Sequence, residues 1–150
     1  MPALITFGRI LVAALFIYVG AAKLFAIEAT AEFIAGKLTI PDQLGPYVTQ
    51  VQTMSGMTVP QLLAIGAGAF EIIAGLMIAV NFAVRFFAVI LMFYIAASTF
   101  YYFDFWNQAP RDNARTVVDA LKNLAIIGAL FIIAGYGRGP RKTKPAYADV

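Results

Sequence analysis

The sequence contains neither cysteine nor histidine, and only 13% of its 150 residues are charged. Without cysteine the chain can form no disulfide and offers no thiol for redox chemistry or for an iron–sulfur cluster. Without histidine as well, it lacks the usual ligands of zinc, copper and haem iron. The formal net charge of +3 is too small to indicate a nucleic-acid partner. We therefore do not expect a stand-alone enzyme that uses metal, thiol or imidazole chemistry.

Apolar residues make up 61% of the chain, which is more than a soluble domain of this length can bury. Charged residues are correspondingly scarce, since soluble proteins contain about 25% of them. A transmembrane helix needs about 20 apolar residues at about 1.5 Å each, and four segments reach that length. The sequence predicts an all-α fold, an integral membrane four-helix antiparallel bundle. Its predicted spans are 3–26, 60–82, 84–103 and 117–136.

The spans and their connections form one predicted domain, residues 1–137, and a basic cytoplasmic tail follows at residues 138–150. The first outer loop, residues 27–59, has apolar residues near helical spacing, punctuated by proline and glycine. This pattern predicts one or two short amphipathic helices at the membrane interface. They would form either an ordered cap over the bundle or a lid over a ligand cavity.

Small residues recur at intervals of seven along three of the spans. Such rows let helix backbones approach each other closely in lipid, so we expect them at helix contacts. The glycines concerned are Gly20, Gly68, Gly75, Gly128 and Gly135.

Lysine and arginine placement predicts the orientation. With four spans both termini share one side of the membrane, and that side has six basic residues against five on the other. The dense basic stretch RGPRKTK, which follows the fourth span, favours termini in the cytoplasm.

Each span carries one charged residue toward its outer end. We take three arginines as markers of the inner interface: Arg9, Arg85 and Arg138. At the helical rise, Lys23 and Glu71 then lie about 21 Å above that interface. Asp104 lies about 28 Å and Lys122 about 24 Å above it. Because the hydrocarbon core is about 30 Å thick, all four occupy its outer third.

A lone charge at the centre of a membrane helix costs about 2.5–3.5 kcal/mol, so we expect these residues to face the bundle interior and pair. Lys23 is the expected partner of Glu71 because their depths coincide. Lys122 would serve Asp104 or share Glu71. We call these four charged residues the polar layer. Asn123 and Trp106, which lie near them in the sequence, would bridge this layer by hydrogen bonds.

Other interpretations stay open for each charge. Lys23 and Lys122 can extend to the outer headgroups without a partner, and Asp104 can remain in interfacial water. Glu71 is short and lies mid-span, so it must be paired or protonated. A paired Glu71 either serves only to stabilise the helix bundle or is also part of a ligand site.

The order of these motifs resembles the DoxX family of small four-helix membrane proteins, over residues 8–139. The resemblance rests on Gly20 to Lys23, on GAGAFEIIAGLMI around Glu71, on the DFW element, and on LKNLAIIGALFIIAGYGRG. It implies a multi-pass protein of the bacterial inner (plasma) membrane. Family members typically have a histidine before DFW, where this chain has Phe103. Some members are linked with thiosulfate:quinone oxidoreductase, others with oxidative-stress assemblies.

Three functions fit these observations. The first is an integral membrane subunit of a redox-linked inner-membrane assembly that faces quinone and relies on partner subunits for electron carriers. The second is a non-catalytic scaffold or accessory subunit of a larger membrane complex. The third is a small-solute or proton transporter, which the lack of repeated halves disfavours. The expected partners are the lipid bilayer, other membrane subunits, and a quinone or lipid as ligand.

Overall fold

The computed structural model describes residues 2–38, 40–103 and 113–136, and four long helices dominate this part of the chain. The helices, in chain order, are α1 (Pro2–Phe25), α2 (Ile27–Ala35), α3 (Gly45–Ser55), α4 (Val59–Ala79), α5 (Val84–Tyr102) and α6 (Asn113–Tyr136). Apolar stretches long enough to cross a membrane lie at Ala3–Phe25, Val59–Ala79, Val84–Tyr102 and Ala114–Tyr136. These stretches overlap the four predicted spans, and the predicted all-α bundle with short helices in the first outer loop is confirmed. The predicted tail, residues 138–150, lies outside the described residues.

Local sequence determines where α4, the helix that carries Glu71, begins and ends. Thr58 and Gln61 form a reciprocal capping box at its start, and Pro60 occupies the first turn, where its missing N–H costs nothing. A four-residue turn then leads to α5. Asn81 and Ala83 in this turn have φ angles of 62° and 45°, and Arg9 of α1 donates a hydrogen bond to the Asn81 side-chain oxygen. The turn is thereby tied to the start of α1.

The long helices pack as two antiparallel pairs, α1 with α4 and α5 with α6. Along the first pair, Ala13 lies against Gly75 and Gly20 against Gly68, so the chain directions oppose. In the second pair, Arg85 donates to the Gly135 carbonyl oxygen at one end, at 3.2 Å. The beginning of α1, the α4–α5 turn and the end of α6 consequently share one end of the bundle, which we call the inner end.

Glycines allow the close approach of α1 and α4. A Cβ atom placed on Gly20 would lie 2.5 Å from the Gly68 carbonyl oxygen, and one on Gly75 would lie 2.9 Å from the Ala13 carbonyl oxygen. The predicted small-residue contacts are thus present between these two helices. The same prediction is wrong for α6, because a Cβ on Gly128 or Gly135 would meet no atom of the described residues within 4 Å. Spacing alone does not determine which helix face meets a neighbour.

Large apolar side chains fill the inner half of the bundle. The buried cluster includes Ile78, Val84, Leu91 and Leu130, and it ends near Phe16. Toward the outer end α2 packs against α4, and its Ala31 and Ile34 are buried. The interior space of the bundle lies in this outer half.

Many large apolar side chains point outward from the long helices, among them Phe7, Phe93 and Phe131. In water this surface would be costly, whereas in a bilayer it contacts lipid tails. Helix α3 has no buried residue and exposes Tyr47 and Met54, as an amphipathic helix at the membrane interface does.

Candidate functional site

Lys23 and Glu71 form an ion pair between α1 and α4. The Lys23 Nζ atom lies 2.5 Å from Glu71 Oε1, as their depths predict. The Glu71 side chain is 5% exposed and that of Lys23 is 26% exposed. Tyr94 of α5 accepts a second hydrogen bond from Nζ at 3.1 Å, and its ring centroid is 5.5 Å from that nitrogen. The amine is thereby held between two helices of the first pair and one of the second.

The backbone contact at Gly20 explains the geometry of this ion pair. Gly20 lies one turn before Lys23, and a Cβ there would be 3.0 Å from the Glu71 Cβ. With hydrogen in place of a side chain, α1 approaches α4 so closely that the lysine reaches the carboxylate within the bundle. The ion pair therefore depends on the small residues one turn below it.

A cavity of about 470 Å³ opens beside the ion pair, between the two helix pairs. Lys23 and Glu71 contribute charge to its wall, and most of the remaining lining is apolar or aromatic. Phe16 and Ile95 belong both to this lining and to the buried core, so they separate the cavity from the packed inner half. The aromatic residues of the lining are Phe16, Phe33, Tyr94, Tyr102 and Phe103.

Helix α2 covers the outer end of the cavity. Thr30, Phe33 and Ile34 line it from this side, and the Phe33 ring lies 5.3 Å from the Tyr102 ring at the end of α5. Tyr101 donates a hydrogen bond to the Lys37 carbonyl oxygen at 2.9 Å, which ties the end of α2 to α5. Of the two interpretations of the outer loop, a plain cap and a lid over a cavity, this geometry favours the lid.

Two polar side chains of the wall donate hydrogen bonds within the protein. Asn123 donates to the Thr99 hydroxyl at 2.9 Å, and Ser98 donates to the Ile95 carbonyl oxygen at 3.0 Å. In contrast, Glu71 Oε2 is buried and has no hydrogen-bond partner within the described ranges. One oxygen of this cavity-lining carboxylate is therefore left without a hydrogen-bond donor.

Lys122 has a partner on its own helix, and its expected contact with Asp104 falls outside the described residues. Its Nζ atom donates to Asp119, one turn earlier on α6, at 2.8 Å, rather than sharing Glu71. The two side chains are 68% and 39% exposed, so this pair lies at the rim although both residues line the cavity. The long lysine side chain can extend along the helix surface and keep its charged end exposed. Two further candidates, Asp104 and Trp106, lie outside the described residues.

Sequence reasoning missed Tyr94 as part of the site. Its depth in the membrane could have indicated a role in the site. Tyr94 lies nine residues after Arg85, which places it about 14 Å above the inner interface. A tyrosine hydroxyl at mid-membrane depth needs a hydrogen-bond partner inside the protein. Which partner it finds depends on helix rotation, which depth does not determine.

Comparison with known proteins gives two matches. The family model described as DoxX matches residues 4–104, which include α1 to α5. The Escherichia coli (strain K12) protein named inner membrane protein YphA is 25% identical over 138 residues, or 92% of this chain and 86% of that protein. No solved structure matches the chain significantly.

Proposed function

Because the chain belongs to the DoxX family, we propose that it is a membrane subunit of a redox-linked assembly and binds a quinone headgroup beside Lys23 and Glu71. Four apolar spans and the similarity to an inner membrane protein of E. coli support a multi-pass protein of the bacterial inner membrane. Binding of a quinone and assembly with partner subunits are what we propose beyond these findings.

The cavity beside the ion pair is the observation that supports this function most. Its volume falls within the range of about 300–1,000 Å³ that is usual for small-molecule sites. An apolar, aromatic wall suits a quinone ring, and the ring's two carbonyl oxygens require donors. Lys23 has three N–H donors, of which Glu71 and Tyr94 take two. Asn123, across the cavity, has a second amide N–H to offer.

Electron transfer requires more than this chain. Its side chains include no thiol and no imidazole, and carboxylates and amines move protons but do not carry electrons. A partner subunit with a cofactor would therefore supply or accept the electrons. The role of this chain would be to bind the quinone headgroup, to exclude water from it and to hold its orientation.

A scaffold function is the second candidate, and the ion pair itself favours it. Lys23 joins α1, α4 and α5, so it stabilises the bundle whether or not a ligand binds. The two functions differ in one measurable respect, since only the first requires a ligand in the cavity.

Titration with a short-chain ubiquinone tests the proposed function. We expect saturable binding, in the oxidised or the reduced form, to the purified full chain in lipid nanodiscs by calorimetry. Ala67→Leu, which adds three carbons to the cavity wall, should abolish that binding. Ala96→Leu makes the same change at an exposed position of α5 and should leave binding intact. Absence of saturable binding of both forms by the unsubstituted chain would refute this function and favour the scaffold.

We also propose that both termini lie in the cytoplasm, as the basic tail favours. A green fluorescent protein fused to the C-terminus should fluoresce in cells, whereas an alkaline phosphatase fused there should be inactive. The reverse pattern would place the termini on the periplasmic side.

A further inference from the structure

The unpartnered oxygen of Glu71 indicates which form of the ligand the cavity prefers. Glu71 is 3% exposed, and its Oε1 atom accepts the hydrogen bond from Lys23. Its Oε2 atom is buried and has no hydrogen-bond partner in residues 2–38, 40–103 and 113–136. A carboxylate paired with an amine is ionised and can only accept hydrogen bonds. A buried acceptor without a donor is costly, so a ligand that brings a donor gains affinity there.

Two polar side chains of the wall each direct a donor to another group of the protein. The Ser98 hydroxyl donates to its own helix, and the amide of Asn123 donates to Thr99. A ligand with only acceptor atoms could bind the remaining N–H groups but would leave Oε2 unsatisfied. It would also place its own partial negative charge beside a carboxylate.

We propose that the headgroup donates a hydroxyl hydrogen bond to Glu71 Oε2, and that the cavity therefore binds hydroquinone more tightly than quinone. This inference rests on the proposed function. A quinone has two carbonyl acceptors and no donor. Its two-electron, two-proton reduced form has a hydroxyl at each of those positions. One hydroxyl donates to Oε2, and its oxygen can accept the third N–H of Lys23.

Such a preference would change the redox balance of the bound couple. Tighter binding of the reduced form raises the reduction potential, by about 30 mV for each tenfold difference in affinity of a two-electron couple. Bound quinone would therefore be a better electron acceptor than quinone free in the bilayer. The cavity would favour retention of hydroquinone in an assembly whose partner subunit delivers the electrons.

The test compares the two redox forms of one probe. Short-chain ubiquinone and its hydroquinone, kept reduced under anaerobic conditions, are titrated into the full chain in nanodiscs. We expect the hydroquinone to bind roughly tenfold more tightly or better, the effect of one hydrogen bond to a charged acceptor. This comparison needs no substitution, so it decides the question even if a variant fails to fold.

Glu71→Gln then identifies the responsible atom, because its amide replaces an acceptor by a donor. The preference for hydroquinone should vanish or reverse. Glu32→Gln makes the same change at an exposed position of α2 and should retain the preference.

Equal affinities, or tighter binding of quinone, would overturn this inference and leave the proposed function standing. A hydroquinone preference that survives in Glu71→Gln would also overturn it. Binding of neither form would overturn the proposed function as well.

Discussion

Glu71→Ala should lower the free energy of unfolding by about 3–5 kcal/mol, the usual cost of breaking a buried ion pair. The substitution removes the carboxylate that holds Lys23 at 2.5 Å and leaves an amine inside the bundle. Among the described residues, only the Tyr94 hydroxyl would remain as its partner. Equilibrium unfolding of the purified protein in mixed micelles measures the effect.

Asp119→Ala is the control, because it breaks the other described ion pair, which lies at the exposed rim. Exposed ion pairs contribute little to stability, so this variant should unfold almost as the unsubstituted protein does. A loss in Glu71→Ala no larger than that in Asp119→Ala would show that burial of the Lys23–Glu71 pair contributes nothing to the bundle.

Gly20→Ala should destabilise the bundle by about 1–3 kcal/mol through overpacking, although it adds a single methyl group. The new Cβ would lie 2.5 Å from the Gly68 carbonyl oxygen and 2.9 Å from Ile72 Cγ1. Because a backbone atom is involved, α1 and α4 must separate. Since Gly20 lies one turn before Lys23, the separation should also weaken the ion pair.

Gly66→Ala is the matched control on α4, because a Cβ there would meet no atom within 4 Å. Alanine in place of a helical glycine should leave stability unchanged or raise it by about 0.5–1 kcal/mol. Both variants are compared by their free energies of unfolding in the same micelles. Equal stability of the two variants would contradict the backbone contact between α1 and α4.

The helix positions along the membrane normal could be predicted from the sequence. Hydropathy determines which segments span, and a rise of about 1.5 Å per residue converts sequence distance into depth. Lys23 and Glu71 each lie fourteen residues from an arginine of the inner end, and this equality predicted their contact.

Rotation about each helix axis could not be predicted in the same way. Gly128 and Gly135 have the spacing of a packing row, yet they lie on an exposed face of α6. Lys122 has a suitable depth for Glu71, yet it turns to Asp119 on its own helix. The sequence left a cavity under the outer loop as one of two alternatives, because its volume depends on how the two helix pairs are spaced and on where α2 packs.

The central claim is that Lys23 and Glu71 form a ligand site as well as a structural contact, and the double variant Lys23→Met/Glu71→Gln tests it most directly. With both charges removed, no amine is left unpaired, so the double variant should recover much of the stability lost in Glu71→Ala. Its affinity for short-chain ubiquinol should nevertheless fall roughly tenfold or more. A stable double variant that binds ubiquinol as tightly as the unsubstituted chain would contradict the claim.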